Sequence, residues 1–146
     1  MHTDQPTLDA FWDFNDPSGS EARFRAWLDN CPADATEARA EAMSQLARAL
    51  GLQQRFEEAH AVLDEAEGLL RERAATRAGV RILLERGRAF RSAGDPENAK
   101  RCFESAHGAA ERLDEPYFAV DTLHMLAIAA TGEEAVDLNR RAIAAA

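Results

Sequence analysis

The stretch Asp95-Pro96-Glu97-Asn98-Ala99, leading to Phe103, decides how this chain is read. Asp95 suits a helix N-cap, and Pro96 suits the first helical position, where its missing N–H costs nothing. Gly94, just before it, fits the left-handed end of a preceding helix. The same arrangement occurs earlier as Asp16-Pro17-Ser18-Gly19-Ser20 leading to Phe24, displaced by 79 positions. Midway between them stands Phe56-Glu57-Glu58-Ala59 leading to Leu63, so the period is close to 40 residues. A last copy is Thr131-Gly132-Glu133-Glu134-Ala135, leading to Asn139. A second series shares the period: Met43-x2-Leu46-Ala47-x2-Leu50, Leu83-x2-Arg86-Gly87-x2-Phe90 and Leu123-x2-Leu126-Ala127-x2-Ala130. Small residues therefore recur at 47, 87 and 127. Repetition at this length marks an array of stacked supersecondary units.

Composition agrees with helices. The 146 residues include 31 alanines but only 8 glycines and 5 prolines, and aromatics make up 7%; such a chain favours close-packed helices over sheet. No segment alternates with period two over strand length, and no low-complexity linker divides the chain. The expected helices lie near 18–30, 35–51, 55–74, 76–93, 95–113, 116–130 and 132–145. Thr131 with Glu134, and Asp34 with Glu37, read as capping boxes. The boundary around Ala74-Ala75-Thr76 is weakly marked. Residues 1–15, with Phe11, Trp12 and Phe14, form an aromatic segment expected to cover the first helix; residues 16–146 form one helical-repeat domain. The end in Ile143-Ala144-Ala145-Ala146 leaves an apolar face, which suggests either further repeats or a homodimer through the C-terminal helix.

The 17 basic and 26 acidic residues give a net charge of −9. That disfavours nucleic acid and anionic membrane surfaces as bulk partners. No apolar run of membrane-spanning length and no secretory leader pattern occurs. Two cysteines, Cys31 and Cys102, are too few for a disulfide scaffold, so a cytoplasmic protein is expected. Abundant Ala and Arg with one lysine, Lys100, suggest a GC-rich bacterial genome.

The second-type helices carry Ala59-x3-Leu63-x2-Ala66 and Ala99-x3-Phe103-x2-Ala106, with weaker forms at Ser20-x3-Phe24-x2-Trp27 and Ala135-x3-Asn139-x2-Ala142. In this the chain resembles the tetratricopeptide repeat (TPR) family, whose small residues sit where helices cross closely and whose aromatic fills the adjoining gap. The resemblance covers about residues 16–146. It departs from the family pattern where Met43, Leu83 and Leu123 replace the usual tryptophan, where the closing proline is missing, and in its longer period. It implies an all-α, right-handed superhelical array (an α-solenoid) of antiparallel helix pairs, with about seven helices in about 3.5 repeats, acting as a non-catalytic protein-interaction module.

The resemblance also implies that first-type helices line a concave groove. On helix 76–93, Val80, Leu83, Gly87 and Phe90 form the expected buried stripe. Arg81, Leu84 with Glu85, Arg88 and Arg91 then face the groove. Their counterparts are Glu41, Ser44 with Gln45, Arg48 and Gly51 in one neighbouring repeat, and Asp121, His124 with Met125, Ile128 and Thr131 in the other. The candidate groove residues are thus Ser44, Arg48, Arg81, Leu84, Arg88, Arg91 and His124. Arginine's planar fork suits carboxylate recognition, so an acidic protein or peptide segment is the expected partner. The opposing reading is a solvated helix face on which acids such as Glu85 pair with the arginines.

A reading of another class rests on two E-x-x-H pairs, Glu57/His60 and Glu104/His107. Such pairs hold di-metal centres in helical bundles. They are spaced by 47 residues rather than by the period, so equivalent helices would present them at different angles. No cofactor is called for. No phosphate loop, zinc spacing or serine elbow is present.

Overall fold

A computed structural model describes residues 8–70, 76–114 and 116–129. Its described part is all-helical: a short 3-10 turn at Leu8–Phe11 is followed by α1 (Pro17–Asp29), α2 (Thr36–Leu52), α3 (Phe56–Leu69), α4 (Arg77–Ser92), α5 (Pro96–Arg112) and α6 (Pro116–Ala129). No strand occurs among the described residues. The expected last helix, 132–145, its Thr131/Glu134 box and the proposed dimer face lie outside them. None of the described helices is long and apolar enough to cross a membrane.

Helix starts follow local chemistry. The Asp16 carboxylate accepts from Gly19 N at 3.0 Å ahead of Pro17, and the Asp95 carboxylate accepts from Asn98 N at 3.2 Å ahead of Pro96. Thr76 caps α4 by accepting from Gly79 N at 3.0 Å, which fixes the start of that helix at Arg77. The Asp34 box is not formed: α2 begins at Thr36 with Ala35 as its uncapped flank. Helix ends repeat as well. Asp95 N donates to Phe90 O at 2.8 Å across Gly94, whose φ is +85°. Forty residues earlier, Arg55 N donates to Leu50 O at 3.0 Å across Gln54, whose φ is +63°. The same left-handed turn is made once by glycine and once by a residue that bears strain there. The period read from the sequence therefore reappears as recurrent geometry: α3 and α5 start at Phe56 and Pro96.

Each helix packs on its neighbour in sequence, and α2 also lies along α4. The α4 helix separates two cores. Ala78 and Ile82 face a core built on Phe24, Met43, Leu46, Leu50 and Leu63. Val80 and Leu84, two positions on and so on the opposite side, join Phe103, Phe118, Leu123 and Leu126. Burial on both flanks explains why the single-stripe expectation for this helix falls short. Leu83 and Phe90 are only partly buried, whereas Leu84 and Glu85 are 2% and 4% exposed. Ahead of α1, Phe11 and Trp12 meet its Phe24 ring edge-on at 5.8 and 5.2 Å. The Ser20 hydroxyl and Asp13 backbone pin that segment to the helix.

Candidate functional site

Two adjoining hollows lie where the aromatic segment, α2, α4 and α6 meet. The larger, about 240 Å³, is lined by Trp12, Phe14, Gln45, Arg48, Arg81, Leu84, Glu85, Arg88, Tyr117 and Phe118, with Asp9 and Asp121 also in its wall. The smaller, about 170 Å³, is lined by Ala47, Arg48, Gly51, Leu52, Glu85, Arg88, Ala89, Arg91, Ser92 and Met125. Arg48, Glu85 and Arg88 belong to both, so the hollows form one groove with these residues at its centre.

Helical spacing explains the convergence. Arg81, Glu85 and Arg88 stand on one face of α4 at steps of four and three, and α2 lies against that face with Arg48. The guanidinium of Arg48 sits over the rings of Phe14 and Trp12, at 4.9 and 5.6 Å from their centroids. Those rings stack on each other at 4.5 Å, and the Trp12 indole donates to Gln45 Oε1 at 3.0 Å. This aromatic shelf holds the arginine in place by cation–π attraction. No carboxylate lies within ion-pair distance of Arg48 among the described residues. Burial pulls its pKa down; Glu85 and Asp121 oppose that shift, and the neighbouring Arg88 and Arg81 add to it.

The other arginines are engaged. Arg88 Nη1 donates to Glu85 Oε2 at 2.6 Å, and its Nη2 lies 3.7 Å from Asp121. Arg81 Nε lies 2.9 Å from Glu41 Oε1 without the alignment of a hydrogen bond, and its guanidinium sits over Phe118 at 5.4 Å. Arg91 is exposed at the smaller hollow and has no carboxylate partner among the described residues. Glu85 carries the conflict of the site. Burial drives its carboxyl up from the ordinary range, against the charges of Arg88, Arg48 and Arg81 and the Arg88 hydrogen bond, and burial wins.

Of the residues expected in the groove, Arg48, Arg81, Leu84 and Arg88 line the larger hollow, while Arg91 lines the smaller. Leu84 contributes as part of the second core. Ser44 is fully buried, with its hydroxyl donating to Glu41 O at 2.6 Å. His124 is exposed and lines neither hollow. Acids also stand among the arginines of the larger hollow: Asp9, Glu85 and Asp121. The smaller hollow keeps the positive excess, with Arg48, Arg88 and Arg91 against Glu85. Sequence reasoning missed the part played by Trp12, Phe14 and Tyr117 in the walls. The aromatic cluster was visible, but its reach across to α2 was not encoded in any helical period.

The E-x-x-H pairs are not brought together. His60 packs on Phe90 at 4.5 Å between ring centroids, with Glu57 exposed. Burial, reinforced by Arg86, lowers the His60 pKa against the pull of Asp64. The His107 ring is on α5, facing α6. His107 Nδ1 and Thr122 Oγ1 share a hydrogen bond at 3.0 Å, and Thr122 Oγ1 also lies 3.0 Å from Ala119 O, while His107 Nε2 lies 3.4 Å from Glu111 Oε1. Among the described residues, no three His, Cys, Asp or Glu side chains are grouped to hold a metal ion. Cys31 and Cys102 are free, half-buried thiols, and burial raises the pKa of Cys102.

The arrangement is suited to binding an anion. It offers a preorganised, partly dehydrated guanidinium beside an apolar wall, with a second guanidinium at the rim. Comparison with protein families and with curated proteins finds no match to this chain.

Proposed function

We propose that the chain is a cytoplasmic, non-catalytic protein-interaction module, a TPR-like repeat array whose groove takes an acidic segment of a partner protein. One observation carries the reading: Arg48 is largely withdrawn from water, is held on the Trp12–Phe14 shelf, and lacks a carboxylate partner among the described residues. Glu85 and Asp121 favour the charged form of Arg48 only from beyond ion-pair distance, so a ligand carboxylate in direct contact offsets more of the cost of withdrawing this cation from water. Hydrogen bonds to charged groups contribute about 1.5–3 kcal/mol each. The rim supplies apolar contacts for the rest of a segment through the exposed side chains of Phe14, Leu52 and Tyr117.

The test is fluorescence anisotropy with labelled, end-capped hexaglutamate and hexaglutamine peptides. Hexaglutamate should bind more tightly, and less so as salt rises. Arg48→Met, which keeps the aliphatic stem, should weaken it about tenfold, equivalent to about 1.4 kcal/mol. Equal binding of the two peptides, or an Arg48→Met protein that binds like wild type, would refute the groove assignment.

A further inference from the structure

Glu85 lies at the junction of the two hollows and contributes to the walls of both. Its side chain is 3% exposed. One oxygen, Oε2, takes the Arg88 hydrogen bond, while Oε1 is buried with no donor among the described residues. An ionised carboxylate in such a place ordinarily collects several donors. Among the described residues, the charged and titratable groups lining the hollows with it are Arg48 on α2, Arg81, Arg88 and Arg91 on α4, Tyr117 and Asp121 on α6, and Asp9 on the 3-10 turn. Of these, Arg88, Arg48 and Arg81 favour its ionised form.

An anion arriving at Arg48 alters that balance in two ways. It neutralises one of the three guanidinia that hold Glu85 ionised, and it brings a second negative charge into the same poorly hydrated space. Both effects favour the neutral carboxyl. The proton has an evident place, because Oε2 is engaged by Arg88 and Oε1 is free.

We propose that a carboxylate docking on Arg48 binds together with one proton, taken up by Glu85 from solvent. The site is then a proton-coupled carboxylate receptor, tighter on the acid side, and Glu85 sets its pH response. This rests on the groove reading above. Protonated Glu85 ceases to repel the incoming carboxylate. Burial already raises the Glu85 carboxyl above the ordinary range in the free protein, in the same sense as the coupling.

The experiment is calorimetric titration of the full chain with end-capped hexaglutamate between pH 5.5 and 8.0, in PIPES and in imidazole buffers of equal ionic strength. Affinity should fall with rising pH, approaching about tenfold per unit where one full proton is coupled. The binding heats should differ between buffers in the sense of proton uptake. Glu85→Gln should bind with an affinity that is flat in pH and with equal heats in both buffers. Histidines such as His124 are unchanged in that variant, so a pH dependence arising from them would survive the substitution and overturn the proposal. Wild-type binding with a flat pH profile and equal heats overturns it too, and needs no variant to fold. Failure of wild type to bind hexaglutamate at any pH instead removes the groove reading, and this proposal with it.

Discussion

Replacing Gly87 by alanine sets two quantities against each other at one atom. In the middle of α4, alanine gains up to about 1 kcal/mol over glycine from helix propensity alone. A Cβ at this position, however, would stand 2.3 Å from Phe103 Cε1 and 2.7 Å from both Cδ1 and Cζ. Real carbon atoms do not approach so closely, so either the ring or the helix must move. Phe103 is fully buried among Ala99, Ala106, Val80, Leu84 and Phe118, and cannot swing into solvent. The α4–α5 crossing would have to widen. Overpacking of this kind costs about 1–3 kcal/mol, and at so close an approach the upper part of that range applies. After the propensity gain, the net loss is about 2 kcal/mol, or about 6 °C in Tm for a chain of this size. Urea denaturation followed by circular dichroism measures it. Gly68→Ala is the internal control: that glycine is exposed on α3 and an added Cβ meets nothing within 4 Å. It should stabilise by about 0.5–1 kcal/mol. Adding Phe103→Leu to Gly87→Ala should cost less than the sum of the single changes, since the two positions share one contact. A Gly87→Ala protein as stable as wild type would refute this account of the crossing.

Three further outcomes follow from the helix ends and the buried acid. Asp95→Ala removes the α5 cap and should cost about 1 kcal/mol by the same denaturation assay. Gln54→Gly relieves a left-handed φ at the end of α2 and should gain about 1 kcal/mol. In thermal melts against pH, acid destabilisation should come from carboxyls held low in the fold. Hydrogen bonds from Arg55 depress Glu58 and those from Asn98 depress Asp95; burial raises Glu21, but Gln53, Arg25 and Arg55 outweigh it. Their contribution is present above the ordinary carboxylate pKa and is lost as pH falls through the lowered values. Glu85 acts in the opposite sense: raised in the fold, it favours folding at low pH and withdraws that support as pH climbs from the ordinary glutamate value through its own. Glu85→Gln should remove only this second component.

What could be read in the sequence was what repeats. Asp95-Pro96 and Asp16-Pro17 announced their helices because capping chemistry is local. Gly87, Ala47 and Ala127 announced close crossings by recurring at one register, and Gly87 proves to lie against Phe103. Asp34 misled because a box of the right letters does not form unless the helix starts beside it. The groove was legible as far as arginine spacing on α4 and the repeat register that adds Arg48 from α2. Which side of α4 meets water depends on the two cores that it divides, and no period in α4 alone distinguishes a flanking helix from solvent. Hence Ser44 was placed toward a ligand, although it is fully buried and its hydroxyl donates to its own helix, and Leu84 reaches the larger hollow only from within the second core. The Trp12–Phe14 shelf was hidden for a related reason: it joins residues more than thirty positions apart through a segment with no periodicity.

The most direct test of the central claim uses the two tryptophans as reporters. Trp12 forms the Arg48 shelf, whereas Trp27 packs on the first core and lines neither hollow. In a nitrogen–proton correlation spectrum, titration with capped hexaglutamate should move the Trp12 indole resonance and leave that of Trp27 in place. Movement of Trp27 alone, or of neither at saturating peptide, would contradict the claim that the Arg48 groove is where this protein meets its partner.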